Sequence, residues 1–124
     1  MLTLLSCDTP HFFRMTDKIV VLSTCPTQAE AGKLARLLVE QRVAACVNVV
    51  PGVSSYYRWQ GAIENATEFL LVIKSSRALF PALRSMLEEN HSYEVPEVVA
   101  IPVLDGSPAY LSWLSANLAG AETE

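Results

Sequence analysis

Ala44-Ala45-Cys46-Val47-Asn48-Val49-Val50-Pro51-Gly52-Val53-Ser54-Ser55-Tyr56-Tyr57-Arg58-Trp59-Gln60-Gly61 carries the reading that decides the fold. Residues 44–50 read as a strand, Pro51-Gly52 interrupts it, and the chain continues extended to Trp59. A proline and a glycine inside strand-like sequence predict a bulge or bend on an accessible edge. Gln60-Gly61 is a turn signal, and Ile63 to Ser75 returns as the partner strand of an unusually long hairpin. Alternation places Phe69, Leu71 and Ile73 on one face of that strand and Leu70, Val72 and Lys74 on the other.

Upstream, Lys18-Ile19-Val20-Val21-Leu22-Ser23-Thr24 is β-branched and apolar on both faces, the pattern of a buried strand. Thr27-Gln28-Ala29-Glu30 matches a capping box, and Ala31, Leu34, Ala35 and Leu38 recur behind it at helical spacing, predicting a helix over about 28–41. Downstream, Leu79, Leu83, Met86 and Leu87 stripe a second helix over about 77–90, with Pro81 in its first turn, where a missing N–H is tolerated. A fourth strand, 98–104, carries Pro102 and reads as an edge or a bulged strand. After the Asp105-Gly106 turn, Ser107-Pro108 caps a last helix that holds Tyr110, Leu111, Trp113 and Leu114. The order is βαββαβ plus a terminal helix, an α+β chain that predicts a ferredoxin-like sandwich. Residues 15–119 form the expected single domain. Residues 1–14 read as a disordered extension and 120–124 as a frayed tail.

Composition narrows the functional classes. Half the 124 residues are hydrophobic and 18% are charged, below the quarter or so usual for a soluble domain. No apolar run reaches the roughly 18 residues of a membrane span. A net charge of −4 with scattered basic residues argues against nucleic acid. Cys7, Cys25 and Cys46 are odd in number and lack a Cys-x-x-Cys spacing, which suits free thiols in a reducing, cytoplasmic setting. A ferredoxin-like sheet carries helices on one face only, yet strands 19–22, 69–73 and 98–103 are apolar on both. The second face is therefore expected to meet other copies of the chain, with the hairpin 53–70 as the arm that reaches a neighbour.

Titratable residues concentrate in Asn90-His91-Ser92-Tyr93-Glu94-Val95-Pro96-Glu97, at a helix-to-strand boundary. A plain structural reading also fits: a helix C-terminus followed by an extended X-Pro link, with His91 at the negative end of the helix dipole. Together with Ala44–Asn48, Pro51–Gly61, Glu68, Lys74-Ser75 and Tyr110-Leu111-Ser112-Trp113, this stretch resembles the CutA divalent-cation-tolerance family over about residues 18–118. The resemblance implies a ferredoxin-like homotrimer similar to the PII signalling trimers, cytoplasmic in bacteria, linked to tolerance of copper and other divalent metals and without a settled catalytic activity.

Carried over by position, the family's proposed copper ligands fall on Ser23, Asn90 and His91. Only His91 keeps a ligating side chain, since copper prefers imidazole and thiolate. Cys25 lies two residues from the cysteine position, about 7 Å along the strand. The resemblance also gathers Trp59, Glu68, Lys74, His91, Tyr93 and Glu94 in the cleft between protomers. Two readings of Lys74 stand: a lysine–glutamate pair that locks the trimer, or the charge of an anion or small-metabolite pocket with His91 as donor and Trp59 as wall.

Three classes of function follow. In the first, a metal-responsive trimer binds Cu²⁺ or another divalent cation weakly through His91, alone or with Glu94, with no obligatory cofactor. The alternative is a PII-like sensor that binds a small anionic ligand in the cleft. An enzyme is disfavoured: there is no Ser/His/Asp set and only one plausibly placed histidine.

Overall fold

The computed structural model describes residues 16–120; the expected extension 1–14 and the end of the tail lie outside them. Strand β1 (Lys18–Cys25) leads into helix α1 (Gln28–Glu40). A hairpin follows, of β2 (Cys46–Trp59) and β3 (Ala62–Ser76), and then α2 (Phe80–Asn90), β4 (Val99–Pro102) and α3 (Pro108–Ala116). The α+β class and the expected element order are both present. All four strands lie in one sheet, ordered β2-β3-β1-β4, and every neighbouring pair is antiparallel.

Of the three strands that read as apolar on both faces, β1 and β3 are the central ones and β4 is an edge strand. On the helix-covered face Ile19, Val21, Leu71 and Ile73 pack with Leu34 and Leu38 of α1 and with Leu83 and Leu87 of α2. A smaller cluster of Ala45, Leu114 and Leu118, with Leu79 and Leu111 packed against it, seats α3. Cross-strand partners share a face. The opposite face therefore carries Val20 and Leu22 of β1, Leu70 and Val72 of β3, and Val99 and Ile101 of β4. All six are half-buried or exposed in the protomer.

Local structure differs from the expectations at three points, and the expected bulge at Pro51-Gly52 takes a definite form; each has a physical reason. The second helix begins with a single 3-10 turn, Arg77–Leu79, because Ser76 supplies no side-chain cap; Pro81 then sits in the first turn of α2. The fourth strand shortens to Val99–Pro102, since Pro102 has no N–H to continue a ladder. The interruption at Pro51-Gly52 is a bulge inside one continuous strand: Val50 pairs with Leu70 but Val53 pairs with Glu68, and Gly52 takes φ 73°. The capping box is half made. Thr27 Oγ1 accepts from the Glu30 N–H, but the Glu30 carboxylate turns away to Ser92.

The bulge matters for function because one extra residue reverses the facing of everything after it on β2. Beyond it, Tyr57 lies opposite Glu64 and Trp59 opposite Ala62, on the same side of the ribbon as Glu68. At the tip Gln60 (φ 50°) and Gly61 (φ 82°) both take left-handed backbone, the two-residue type I′ geometry that matches the twist of a hairpin.

Candidate functional site: an acidic aromatic groove

A groove of about 920 Å³ opens between the distal half of the hairpin and the loop that follows α2. The hairpin contributes Tyr57, Trp59, Glu64 and Glu68, and the loop contributes Tyr93, Glu94 and Glu97. Among the described residues four carboxylates thus line it, and no lysine or arginine does. Arg58 stands between Tyr57 and Trp59, but strand alternation turns it to the other side of the ribbon.

Glu68 is the anchor of the floor. It is only 8% exposed, and its Oε2 accepts the Tyr93 hydroxyl at 2.6 Å. Burial, and then the hydrogen bond and charge of Glu68, push the Tyr93 phenol far above its ordinary value, so Tyr93 stays a donor. Among the described residues no cation pairs with Glu68.

His91 lies behind the groove wall and does not line it. Its side chain is fully buried. Nε2 lies 2.8 Å from the Thr24 carbonyl, which can only accept, so Nε2 carries the proton. Nδ1 accepts the Tyr93 N–H at 2.9 Å. With one nitrogen donating and the other accepting, no lone pair faces a cation, so the metal role expected of His91 does not follow from this geometry. The ring instead pins the loop to the end of β1 and sets Tyr93 over Glu68. Its centroid lies 4.8 Å from that of Tyr93. The position at the helix C-cap was legible, but the ring serves β1 and the loop and not the helix dipole.

Glu30 completes the latch from α1. Its carboxylate accepts the Ser92 N–H at 2.8 Å and the Ser92 hydroxyl at 2.7 Å, and Oε2 stands 3.4 Å from His91 Nδ1. Burial alone would raise the Glu30 carboxyl, but the Ser92 bonds, with His91 and Lys33 nearby, outweigh it and hold the group below the usual carboxylate value.

The remaining expected site residues fall elsewhere. Lys74 is six residues from Glu68 along β3, about 20 Å at the strand rise, so it is at the other end of the sheet within the protomer. Its ammonium meets neither a glutamate nor the groove; Nζ hydrogen-bonds to the Asn48 side-chain oxygen. Ser23 is fully buried on the helix-facing side of β1, and its hydroxyl has no partner among the described residues. Asn90 is solvent-exposed, and its amide donates to the Met86 carbonyl at 2.8 Å. Cys25 is buried; its thiol points at the Thr27 carbonyl, and burial, with Glu30 nearby, pushes it up, which disfavours the thiolate a metal needs. Among the described residues no three His, Cys, Asp or Glu side chains converge as a metal centre. Sequence reasoning missed Tyr57, Glu64 and Glu97 as lining residues and Glu30 as the latch. The parity change at the bulge was the signal for Tyr57, and simple alternation from Glu68 along β3 was the signal for Glu64.

The fold and the groove define a small α+β protein with a four-stranded antiparallel sheet, one open apolar face and a carboxylate-lined cleft along the distal half of a long hairpin. The family model described as CutA1 divalent ion tolerance protein matches residues 19–117. The chain belongs to the CutA1 divalent ion tolerance family. It is 47% identical over 98 residues to the divalent-cation tolerance protein CutA of Thermus thermophilus, covering 79% of this chain and 95% of that one. Protein CutA of Mus musculus is 47% identical over 91 residues, covering 73% of this chain and 51% of the mouse protein, so the chain spans about half the length of that relative. Among solved structures, CutA1 from Oryza sativa superposes with a TM-score of 0.83 at 39% identity, covering 86% of this chain and 97% of the rice chain.

Proposed function

We propose that the chain serves in divalent-cation tolerance as a homotrimer of ferredoxin-like protomers, and that the groove is where a cation is held. The single observation that carries this reading is the groove's charge: among the described residues four glutamates line it and no basic residue does. Such a wall raises the local concentration of cations and repels anions. The anionic-ligand alternative lacks its charge, because Lys74 lies outside the groove. Carboxylates suit hard divalent ions better than copper. With no close three-ligand cluster among the described residues, binding is weak and is completed by water or by a neighbouring protomer. His91 is then a positioning residue that holds the loop carrying Glu94. The role is one of binding and not of catalysis, in the cytoplasm, where Cys25 and Cys46 remain free thiols.

Calorimetric titration of the full chain with Mn²⁺, Zn²⁺ and Cu²⁺ tests this. Cys7→Ser and His11→Ala are included so that neither N-terminal residue supplies a ligand. Saturable Mn²⁺ or Zn²⁺ binding that weakens at least about tenfold in Glu68→Gln and in Glu94→Gln is expected, the loss of one charged contact being worth about 1.5–3 kcal/mol. Binding untouched by both substitutions, or no saturable binding by any of the three metals, would remove the groove from the tolerance function.

A further inference from the structure

The groove is far larger than a metal ion needs, and much of its wall is not carboxylate. Tyr57 and Trp59 stand in a row along the odd face of the bulged strand, and Tyr93 closes the opposite side. Trp59 is 60% exposed, a large aromatic surface left in water for no packing reason visible in the protomer. Aromatic faces attract cations and cover alkyl chains, and they contribute nothing to holding a hydrated metal. The acidic groups are also spread out. Glu64 and Glu68 are four residues apart on β3, about 13 Å at the strand rise. No single ion can bridge that span.

Glu68 points to the same kind of ligand independently. It is more than nine-tenths buried and aimed into the groove, and its one polar partner among the described residues is the neutral Tyr93 hydroxyl. A carboxylate withdrawn from water without a counter-charge is expensive. An ammonium group entering the groove supplies that counter-charge, and its N–H donors suit the remaining carboxylate lone pairs.

We propose that the groove binds a linear organic polycation of the alkyl polyamine class. One ammonium pairs with Glu68, a second with Glu64, and the methylenes between them lie against Trp59 and Tyr57. This rests on reading the groove as a cation site but differs from metal binding in what it requires: aromatic surface and length.

Calorimetric titration of the full-length protein with spermidine at near-physiological salt tests the assignment. Butylamine (one ammonium, similar methylenes) and Mg²⁺ at matched ionic strength (charge without alkyl surface) are the comparison ligands. Saturable spermidine binding is expected, at least about tenfold tighter than butylamine. It should weaken about tenfold in Trp59→Ala, the size of a desolvated cation–π contact. It should weaken similarly in Glu64→Gln and Glu68→Gln, while Glu89→Gln, an exposed charge on α2, leaves it unchanged. Trp59 and Glu64 are exposed near the hairpin tip, so their loss removes nothing from the protomer's core, and sedimentation of each variant checks that its assembly matches the wild type. Spermidine binding that Mg²⁺ matches at equal ionic strength, or that Trp59→Ala leaves intact, would reduce the interaction to unspecific charge and overturn the proposal. Absent spermidine binding beside saturable Mn²⁺ or Zn²⁺ binding would overturn it while leaving the metal reading in place. Failure of both would end the cation reading of the groove altogether.

Discussion

At the scale of single residues, the molecule's most telling side chain is Glu30, which was expected to close its own helix and instead ties down a loop 62 residues away. Its carboxyl is held below the ordinary value of 4.5 in the folded chain, while the unfolded chain leaves it near that value. A depressed folded value means that its stabilisation is present above about pH 4.5 and is lost as pH falls through the lower, folded value. Glu30→Gln should therefore lower stability by about 1–2 kcal/mol at neutral pH, the worth of its charged hydrogen bonds to Ser92. The gap from wild type should close in acid. Urea unfolding at pH 7 and pH 3 measures this, and an equal deficit at both values would mean that the carboxylate charge contributes nothing.

At the scale of elements, the hairpin is where sequence and structure agree best, and where a one-residue detail decides the site. Its length, its turn at Gln60-Gly61 and its interruption at Pro51-Gly52 were all legible, because glycine and proline restrict backbone angles locally. The facing of Tyr57 was not read, because it depends on counting residues across the bulge against the partner strand; Glu64 shares its face with Glu68 by simple alternation along β3. The partners of Glu30 and His91 were unreadable for a different reason. Both reach across tertiary space, to Ser92 and to the Thr24 carbonyl, and no local spacing encodes that. Lys74 was recognised as a lysine needing a partner, but in the protomer it meets the Asn48 side chain. Two glycines give this level a test with opposite signs. Gly61 holds φ 82°, so Gly61→Ala should cost about 1–2 kcal/mol, although no atom would block the new methyl. Gly32, inside α1 and exposed, has ordinary helical backbone and equally open surroundings, so Gly32→Ala should add about 0.5–1 kcal/mol. Thermal midpoints of the two variants against wild type check both, and a shared sign would mean that backbone angle is not what Gly61 is there for.

At the scale of the whole molecule, the unexplained quantity is the apolar face opposite the helices. Val99 is 49% exposed and Ile101 44%, and Val20, Leu22, Leu70 and Val72 continue the same surface across the two central strands. Fully burying one such side chain stabilises by about 1.5–3 kcal/mol, so six together are a large driving force for association. The long edge strand β2 adds a row of backbone groups that a neighbour can pair with. This is why association of copies is proposed, with the number three taken from the family resemblance, and it is also why the groove along the distal half of the hairpin is expected to sit close to a subunit boundary. Val72 lies on β3, one of the two central strands, at the middle of the apolar face, opposite Leu22. Val72→Glu would place an uncompensated charge in the contact, a penalty of about 3–5 kcal/mol for each copy buried. Sedimentation velocity should give the wild type three times the 13.6 kDa chain mass, and the variant the mass of one chain with a much lower thermal midpoint. Glu64→Gln, on the exposed distal hairpin, should leave the assembly intact, which separates loss of the face from a general change of charge. A wild type that sediments as a single chain would remove the reason for the second apolar face and, with it, the expectation that a neighbour completes the groove.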